Sequence, residues 1–275
     1  MSLSRTGYVS QFEEIWPGNP ALGTASVLPW DAEIFGFPVG SYQIGAEQLD
    51  DDLEKEFSAR FLSWSQDHGV RVCMCAIPAS NSSWRLSLPR AGFSFVDFAL
   101  QATLNGLQTA RLPEARSTLR DVEPGDWEVI EALAERGFHY GRYHADPLFP
   151  RELADLRYRR WIRNARSAES ASNRVYVMGG PGEVQGFYHV TIDGNTSDLR
   201  LAALKPDLQG TMLGFDLYVS ILHVLKKLGV RRVVTSISAG NTAVMNVYSM
   251  LGFSFSGAEA IYHWHPAGVH GRGTE

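Results

Sequence analysis

The sequence predicts an α/β protein in which a mixed sheet carries helices on both faces. Strand-like and helix-like segments alternate along the 275 residues. The helical segments have apolar residues at helical spacing, and the strand segments are rich in β-branched residues. In addition, one strand–helix–strand pattern occurs twice, so we predict two tandem units of the same fold.

Composition supports a globular protein and excludes several functional classes. Hydrophobic residues make up 44% of the chain and charged residues 20%, a balance that argues against disorder. The formal charge of −5 and a pI near 5.9 disfavour a nucleic-acid-binding protein. We expect no membrane span and no signal peptide, because no long apolar run or charged-then-apolar start is present. Cys73 and Cys75 lie in one apolar strand, which indicates reduced thiols and a cytoplasmic protein.

The internal repeat sets the predicted domain boundaries. Residues 69–95 align with residues 229–255 without gaps at an offset of 160, and ten of the 27 positions are identical. The alternative is that two similar strand–helix–strand patterns agree by coincidence. Coincidence does not explain why the matches cluster at turns. We therefore predict a domain over residues 1–115, a second domain over residues 116–266 and a flexible tail over residues 267–275.

Each copy has the same order of predicted elements. The first has a helix over 53–68, a strand over 70–77, a short helix capped by Asn81 and a strand over 94–104. The second has a helix over 214–228, a strand over 230–238, a helix capped by Asn241, and strands over 254–256 and 260–264. Ahead of the second copy come helices over 124–136 and 153–167, then strands over 173–178, 184–192 and 199–204.

A glycine-containing loop precedes the long helix of the second copy. It reads Gln209-Gly210-Thr211-Met212-Leu213-Gly214 and follows the strand Leu199–Leu204. Backbone N–H groups at a helix start suit a pyrophosphate, and glycine lets a phosphate approach the main chain closely. A plain helix start is the alternative interpretation. The Met212 side chain would have to point away from the phosphates.

Residues 199–253 resemble the GCN5-related N-acetyltransferases. The resemblance rests on the strand, the loop just described, a second strand leading to Asn241, Tyr248 seven residues on, and Gly252-Phe253 at the end of the helix. It covers residues 119–264, and the first half resembles the degenerate copy of tandem family members. Residues 28–36, and residues 142–147 followed by 158–161, are also similar to the dTDP-fucosamine acetyltransferase subgroup.

The resemblance implies acetyl-CoA as co-substrate, bound between the splayed strands Leu199–Leu204 and Val233–Ser238. The coenzyme-binding residues it implies are Ala203, Leu204, Gln209, Gly210, Thr211, Met212, Leu213, Gly214 and Asn241. It also implies that Tyr248 is the general acid that protonates the departing thiolate. A phenol with a pKa near 10 is protonated at neutral pH and can donate in this way. Core packing is the alternative role for a helical tyrosine.

The first copy lacks these groups. It has Leu88 where the second has Tyr248, and the acidic segment 49–54 in place of the glycine loop, so we expect it to be structural. The sequence assigns no general base; the candidates are His144, Asp146, His189 and Asp198. We expect no metal, because His263 and His265 have no third ligand at a site-like spacing.

Together these observations predict an N-acetyltransferase that acts by direct attack of a small-molecule primary amine. A nucleotide-linked amino sugar is one option for the acceptor. The basic and aromatic run 157–163 is either a solvated helix face or a contact for an anionic acceptor. The alternatives are a non-catalytic acyl-CoA sensor or scaffold, and an enzyme that modifies protein N-termini or lysines. We expect no nucleic-acid or membrane partner, and the sequence allows a homodimer.

Overall fold

The computed structural model describes Glu13–Glu14 and residues 19–267, so the predicted tail lies outside the described residues except for Ala267. The strands formed by the described residues are β1 (Glu13–Glu14), β2 (Thr24–Val27), β3 (Val39–Gln43), β4 (Val72–Pro78), β5 (Phe93–Asn105), β6 (Leu119–Asp121), β7 (Asn173–Met178), β8 (Gly186–Asp193), β9 (Thr196–Leu204), β10 (Arg232–Ser238) and β11 (Ser254–Trp264). The α-helices are α1 (Pro29–Phe35), α2 (Asp51–Asp67), α3 (Ser82–Arg90), α4 (Trp127–Arg136), α5 (Arg142–Ala145), α6 (Arg151–Ser167), α7 (Met212–Lys227) and α8 (Thr242–Met250). None of these helices combines the length and the apolar character that a bilayer crossing requires.

The chain divides into two compact units, and each unit takes segments from both halves of the sequence. Among the described residues, the first contains those up to Ala99, the segment Arg142–Leu153 and residues 257–267. The second contains Leu100–Gly141 and Ala154–Ser256. This division follows contacts in space, whereas the predicted boundary at residues 115/116 follows the sequence repeat and stays a prediction.

The first unit is built on a sheet with the strand order β1-β2-β3-β4-β11-β5. β3 and β4 are parallel, while β11 pairs antiparallel with β4. Its core consists mainly of aromatic rings, with Tyr42, Phe57, Phe61, Trp84 and Trp264 all buried. Burying each such side chain stabilises the fold by about 2–3 kcal/mol.

The second unit has the strand order β5-β10-β9-β8-β7-β6. β6 to β9 are antiparallel neighbours, and β10 is parallel to β9. Alternate residues of β7 enter different cores: Tyr176 packs with α7 and α8, and Val177 packs with α4 and α6. Because successive strand residues point to opposite faces, helices cover both faces of this sheet. The predicted α/β class with a mixed sheet is therefore confirmed.

The sequence repeat is also a repeat of hydrogen bonds. Gly69 and Gly229 follow α2 and α7 with positive φ angles of 61° and 82°. Asn81 and Asn241 cap α3 and α8, accepting from the backbone N–H three residues on at 3.1 and 3.3 Å. Both asparagines also donate their own N–H to the carbonyl three residues back, at 2.9 and 3.0 Å. The 160-residue offset therefore relates two copies of one strand–turn–helix structure.

Several predicted elements differ from the observed ones at their ends; β9, for example, begins at Thr196 and not at Leu199. The strands predicted over 254–256 and 260–264 are one continuous strand, β11, which passes through Gly257 at a positive φ of 58° that glycine tolerates. The helix predicted from Gly214 begins two residues earlier, at Met212, because the Thr211 hydroxyl accepts a hydrogen bond from the Leu213 N–H at 3.2 Å and caps the helix. The hairpin predicted between β7 and β8 is present.

Candidate functional site

Two parallel strands of the second unit separate and form a fork. β9 and β10 pair through three residue pairs, of which the last is Val234 with Asp198. Both strands then continue, to Leu204 and Ser238, and the described chain shows no further pairing between them. β8 pairs with the other edge of β9 as far as Leu204. The edge of β9 that faces the fork therefore has backbone groups available for an extended ligand.

The Thr235 side chain marks the closed end of the fork. Its hydroxyl donates to the Leu199 carbonyl oxygen at 2.8 Å, one residue past the last paired residue on each strand. Close by, the β8–β9 register shifts between His189 and Val190, and Arg200 has no partner in that ladder. Such a bulge bends the strand locally and changes the direction of its edge. β9 is thus irregular at the point where it leaves β10.

The predicted phosphate loop lies at the open end of β9. A short 3-10 turn, Pro206–Leu208, connects the strand to the loop, and the Gln209 side-chain amide donates to the Leu204 carbonyl at 3.4 Å. Gly210 has a φ of +72°, and no atom lies within 4 Å of the position a Cβ would take. The Met212 side chain is 64% exposed, so it leaves the main chain of the loop open.

The loop residues present an anion-binding arrangement. Among the described residues, the backbone N–H groups of Gly210 and Met212 have no hydrogen-bond partner, whereas those of Thr211, Leu213 and Gly214 bond within the loop. The loop also opens α7, a helix of 16 residues, so the positive end of its dipole lies here. A pyrophosphate fits these residues because it would accept from free N–H groups beside an open glycine.

Tyr248 places its hydroxyl near the closed end of the fork. The side chain is 5% exposed, and its hydroxyl lies 3.3 Å from that of Tyr188. It is also hydrogen-bonded to the side chain of Thr235, the residue that contacts the Leu199 carbonyl. The ring packs edge-on against Tyr218, at 5.4 Å between centroids. Three separate elements thus fix the position of one phenol.

The surroundings of Tyr248 keep its hydroxyl protonated. Burial raises the pKa of this phenol to about 12, although hydrogen bonds with Tyr188 and Thr235 partly offset the effect. The negative charge of Asp198 raises the pKa further. A phenol in this state is a proton donor over the whole physiological pH range.

The structure places the four candidate bases in different environments. His189 is buried, its Nε2 lies 2.8 Å from the Asn173 Oδ1, and burial together with the Arg200 charge lowers its pKa to about 3. Because the adjacent residue Tyr188 points to Tyr248, His189 lies on the opposite face of the sheet. Asp198 is close enough for its charge to raise the pKa of Tyr248, and it forms an ion pair with Arg200 at 3.0 Å. His144 and Asp146 belong to the first unit.

Asn241, the last of the predicted coenzyme-binding residues, is engaged in a structural hydrogen bond. Its side-chain oxygen caps α8 by accepting from the Val244 N–H. Ala203 and Leu204, in contrast, lie at the end of β9 beside the fork. The predicted group thus divides into residues along β9, residues of the loop and a helix cap.

The first copy has no equivalent donor. Leu88 is fully buried at the position that corresponds to Tyr248. The N-terminus of α2 begins at the cap Asp50 and carries Asp51, Asp52 and Glu54 in its first turn, where a phosphate would be repelled. As expected, the second copy has a buried phenol at this position, whereas the first copy has a leucine there and an acidic helix start.

Of the stretches that resemble the sugar acetyltransferase subgroup, residues 28–36 and 142–147 lie against each other in the first unit, whereas residues 158–161 belong to the second unit. The Tyr143 hydroxyl donates to the buried Asp31 carboxylate at 3.3 Å. Phe35 packs edge-on against both Tyr143 and Phe149, with ring centroids 5.1 and 4.8 Å apart. Sequence reasoning singled out both stretches but gave no sign that they touch.

Sequence reasoning missed a cluster of titratable side chains in the same unit. The Asp146 Oδ2 lies 2.7 Å from the His263 Nδ1 and 2.7 Å from the His265 Nε2. Burial opposes ionisation of Asp146, but the hydrogen bonds from the two histidines outweigh it and lower the carboxyl pKa. The only sequence signal was the pair of histidines, because Asp146 lies 117 residues before His263.

Comparison with curated proteins finds a relative over about half of the chain. No protein-family model matches the chain. The spore coat polysaccharide biosynthesis protein SpsD of Bacillus subtilis (strain 168) is 29% identical over 144 residues, which are 52% of this chain and 49% of that protein. The match thus spans about half the length of each protein.

Solved structures show the fold more completely. A GCN5-related N-acetyltransferase from Sphaerobacter thermophilus superposes with a TM-score of 0.63 at 16% identity, covering 89% of this chain and 76% of that one. A tandem GNAT protein from the clavulanic acid biosynthesis pathway superposes with a TM-score of 0.52 at 15% identity, covering 84% and 76%. The chain therefore has the fold of the GCN5-related N-acetyltransferases, and the predicted tandem fold is confirmed.

Proposed function

We propose that the second unit transfers an acetyl group from acetyl-CoA to a primary amine of a small molecule. The observation that carries this proposal is the β9–β10 fork, with the Tyr248 phenol at its closed end and the glycine loop at the end of β9. Acetyl-CoA matches both features: its thioester would lie near the phenol, and the pyrophosphate at the far end of its pantetheine arm would lie at the glycine loop. The fold comparison supports the proposal, since enzymes of this fold use acetyl-CoA.

Each part of the fork has a distinct role in the proposed reaction. The N–H groups of Gly210 and Met212 hold the pyrophosphate, and the free edge of β9 around Ala203 and Leu204 holds the pantetheine arm. Acetyl-CoA, when bound, supplies the activated acyl group and a thiolate leaving group. Tyr248 holds a proton at its hydroxyl oxygen, which it donates to the departing sulfur. The incoming amine attacks directly and must arrive neutral.

The acceptor is proposed from the relative and from the subgroup resemblance. SpsD is named for polysaccharide biosynthesis, and residues 28–36 and 142–147 resemble sugar acetyltransferases. We propose an amino sugar, carried on a nucleotide, as the acceptor. The general base stays unassigned, because Asp198 pairs with Thr191 in the β8–β9 ladder and so lies on the same face of the sheet as His189.

Two measurements test this function. Titration calorimetry with acetyl-CoA should give one saturable site per chain. Release of free thiol in the presence of an amine panel should then single out amino sugars over lysine peptides and protein N-termini. Binding without turnover across the whole panel would instead favour an acyl-CoA sensor or scaffold, and no binding would contradict both interpretations.

A further inference from the structure

We propose that Asp146, His263 and His265 form a zinc site in the first unit. These three side chains are named the triad below. Each contributes one ligand atom, and the three atoms all lie within 4.8 Å of one another. The site lies outside the fork, so the proposal does not depend on the acetyl-transfer reaction.

The backbone places the triad with little freedom. His263 lies in β11, and His265 directly follows the last strand residue, Trp264, so the two side chains leave the chain on the same side if the extended backbone continues by one residue. β11 is held in register against β4, where His263 lies opposite Met74. The sheet therefore fixes the His263 imidazole before any ligand binds, and the contact with Asp146 holds the His265 imidazole.

Asp146 reaches the histidines from a separate segment, Arg142–Leu153. Its Oδ1 accepts the backbone N–H of Leu148 at 2.9 Å, which orients the carboxylate so that Oδ2 faces both imidazoles. A hydrogen bond of this kind behind a ligating group is typical of metal sites, because it fixes the direction of the ligand.

The donor set fits zinc. Two imidazole nitrogens and one carboxylate oxygen are ligands that Zn²⁺ accepts, and three protein ligands leave a fourth position for water. In a tetrahedral site with bonds of about 2.0–2.1 Å, neighbouring ligand atoms lie roughly 3.3 Å apart. The observed 2.7 Å between Asp146 and each histidine means that each pair would open by roughly half an ångström.

The three side chains of the triad are largely buried. The exposed fractions of the side chains are 0% for His263, 3% for Asp146 and 9% for His265. The His263 Nε2 is buried and has no hydrogen-bond partner among the described residues, so Nδ1 makes the polar contact of this ring. His265 has the largest exposed fraction and provides the route by which the metal and its water enter.

The expected consequence is that a bound metal ion links two segments that are distant in sequence. Bound zinc would tie the segment that carries Asp146 to β11, so it should stabilise the folded protein in proportion to its binding. Tyr143 lies in the same segment, and its ring contacts His263 at 5.5 Å between centroids. The metal link would therefore also fix the Tyr143–Asp31 contact described above.

The test uses the full-length protein without an affinity tag, stripped with a chelator and then titrated with Zn²⁺ against a chromophoric competitor. We expect one Zn²⁺ per chain and a rise in melting temperature on zinc addition. His265→Gln should weaken zinc binding at least about tenfold and abolish the thermal shift, because it removes one of three ligands. Asp146→Asn should do the same if it folds, and circular dichroism establishes that first.

His223→Gln is the matched control, since this histidine lies on α7 and bonds to the Pro113 carbonyl instead. It should bind zinc like the wild type. The proposal is overturned if the wild type binds no zinc, or if His265→Gln binds zinc as tightly as the wild type and keeps the thermal shift. Hydrogen bonds among the triad would then be its whole role.

Discussion

Tyr248 differs from a packed helical tyrosine in what its hydroxyl contacts. A tyrosine that only fills a core usually sends its hydroxyl to solvent or to a nearby carbonyl. Here the hydroxyl contacts a second phenol, Tyr188, and the Thr235 side chain at the closed end of a strand fork. This arrangement supports the general-acid role, which predicts different effects of a Tyr248 substitution on turnover and on acetyl-CoA affinity.

Tyr248→Phe should lower turnover by about a hundredfold or more, because a positioned general acid contributes roughly that much. Affinity for acetyl-CoA should change by less than about threefold, since the ring and its packing stay. Steady-state assay of thiol release with the best amine of the panel, together with calorimetry, separates the two effects. Tyr218→Phe is the control, because this ring packs on Tyr248 at 5.4 Å. Equal turnover in wild type and Tyr248→Phe would remove the residue from catalysis.

His189 makes the second unit sensitive to acid. Its pKa is about 3 in the folded protein, against 6.5 for an ordinary histidine, because the ring is buried. Below pH 6.5 the unfolded chain therefore binds a proton that the folded chain does not. The free energy of unfolding should fall as the pH falls from 6.5 toward 3, by up to about 1.4 kcal/mol per pH unit.

Urea unfolding at pH 7.5, 6.0 and 5.0 measures this dependence. His189→Gln retains a side chain that can bond to Asn173, and it should lose less stability between pH 6.0 and 5.0 than the wild type does. Parallel curves for the two proteins would mean that His189 is protonated in the folded state.

In the proposed function, coenzyme affinity depends on the start of α7. Met212 occupies the first helical position, and its side chain is 64% exposed. The side chain therefore points away from the loop, as the sequence analysis required of it. A charge placed here, in contrast, would act on both the helix dipole and a bound phosphate.

Met212→Glu should weaken acetyl-CoA binding by about tenfold through repulsion of the pyrophosphate. The same change should leave the protein as stable or slightly more stable, because an acidic side chain suits a helix N-terminus. Met212→Ala is the control and should bind within about twofold of the wild type. Calorimetry and thermal melts read the two effects separately, and unchanged affinity in Met212→Glu would place the pyrophosphate elsewhere.

The caps of α3 and α8 give a matched pair of structural predictions. Asn81→Ala and Asn241→Ala each remove an N-cap hydrogen bond, which should cost about 1 kcal/mol of stability. Asn81 also donates to the Glu47 carbonyl at 3.0 Å, so its replacement should cost more. Chemical denaturation of both variants compares them, and a larger loss at Asn241 would show that this side chain has more than a capping role.

At the scale of the whole molecule, the two compact units share strands across the sequence repeat. β11 belongs to the second copy in sequence, yet most of it lies in the first unit. Residues 100–105 of β5 belong to the first copy and lie in the second unit. Ala102, Leu104 and Leu107 are accordingly buried in the same core as Val233 and Leu225.

A fragment cut at the sequence repeat should therefore fold poorly. Residues 116–266 lack Ala102, Leu104 and Leu107, whose loss removes about 2 kcal/mol or more for each large side chain. A fragment of residues 100–256 keeps these residues and should unfold cooperatively at a higher denaturant concentration. Circular dichroism with urea compares the two fragments, and cooperative unfolding of residues 116–266 alone would contradict this prediction.

Sequence alone predicted most elements because their signals are local. Asn173–Met178 matched its predicted bounds, and the two asparagine caps and the glycines after α2 and α7 fell where the repeat placed them. These features depend on backbone conformation over a few residues, which side-chain type largely sets. The resemblance likewise singled out Tyr248 and the loop from spacing along one strand–helix–strand segment.

Tertiary structure alone decided which distant residues meet. Nothing in the sequence places Asp146 beside His263, Tyr188 beside Tyr248 or residues 100–105 in the core of the second unit. Pairing of strands far apart in sequence depends on how whole elements pack, and many pairings satisfy the same local pattern. The repeat thus determined what each segment forms, and long-range packing determined which unit each segment joins.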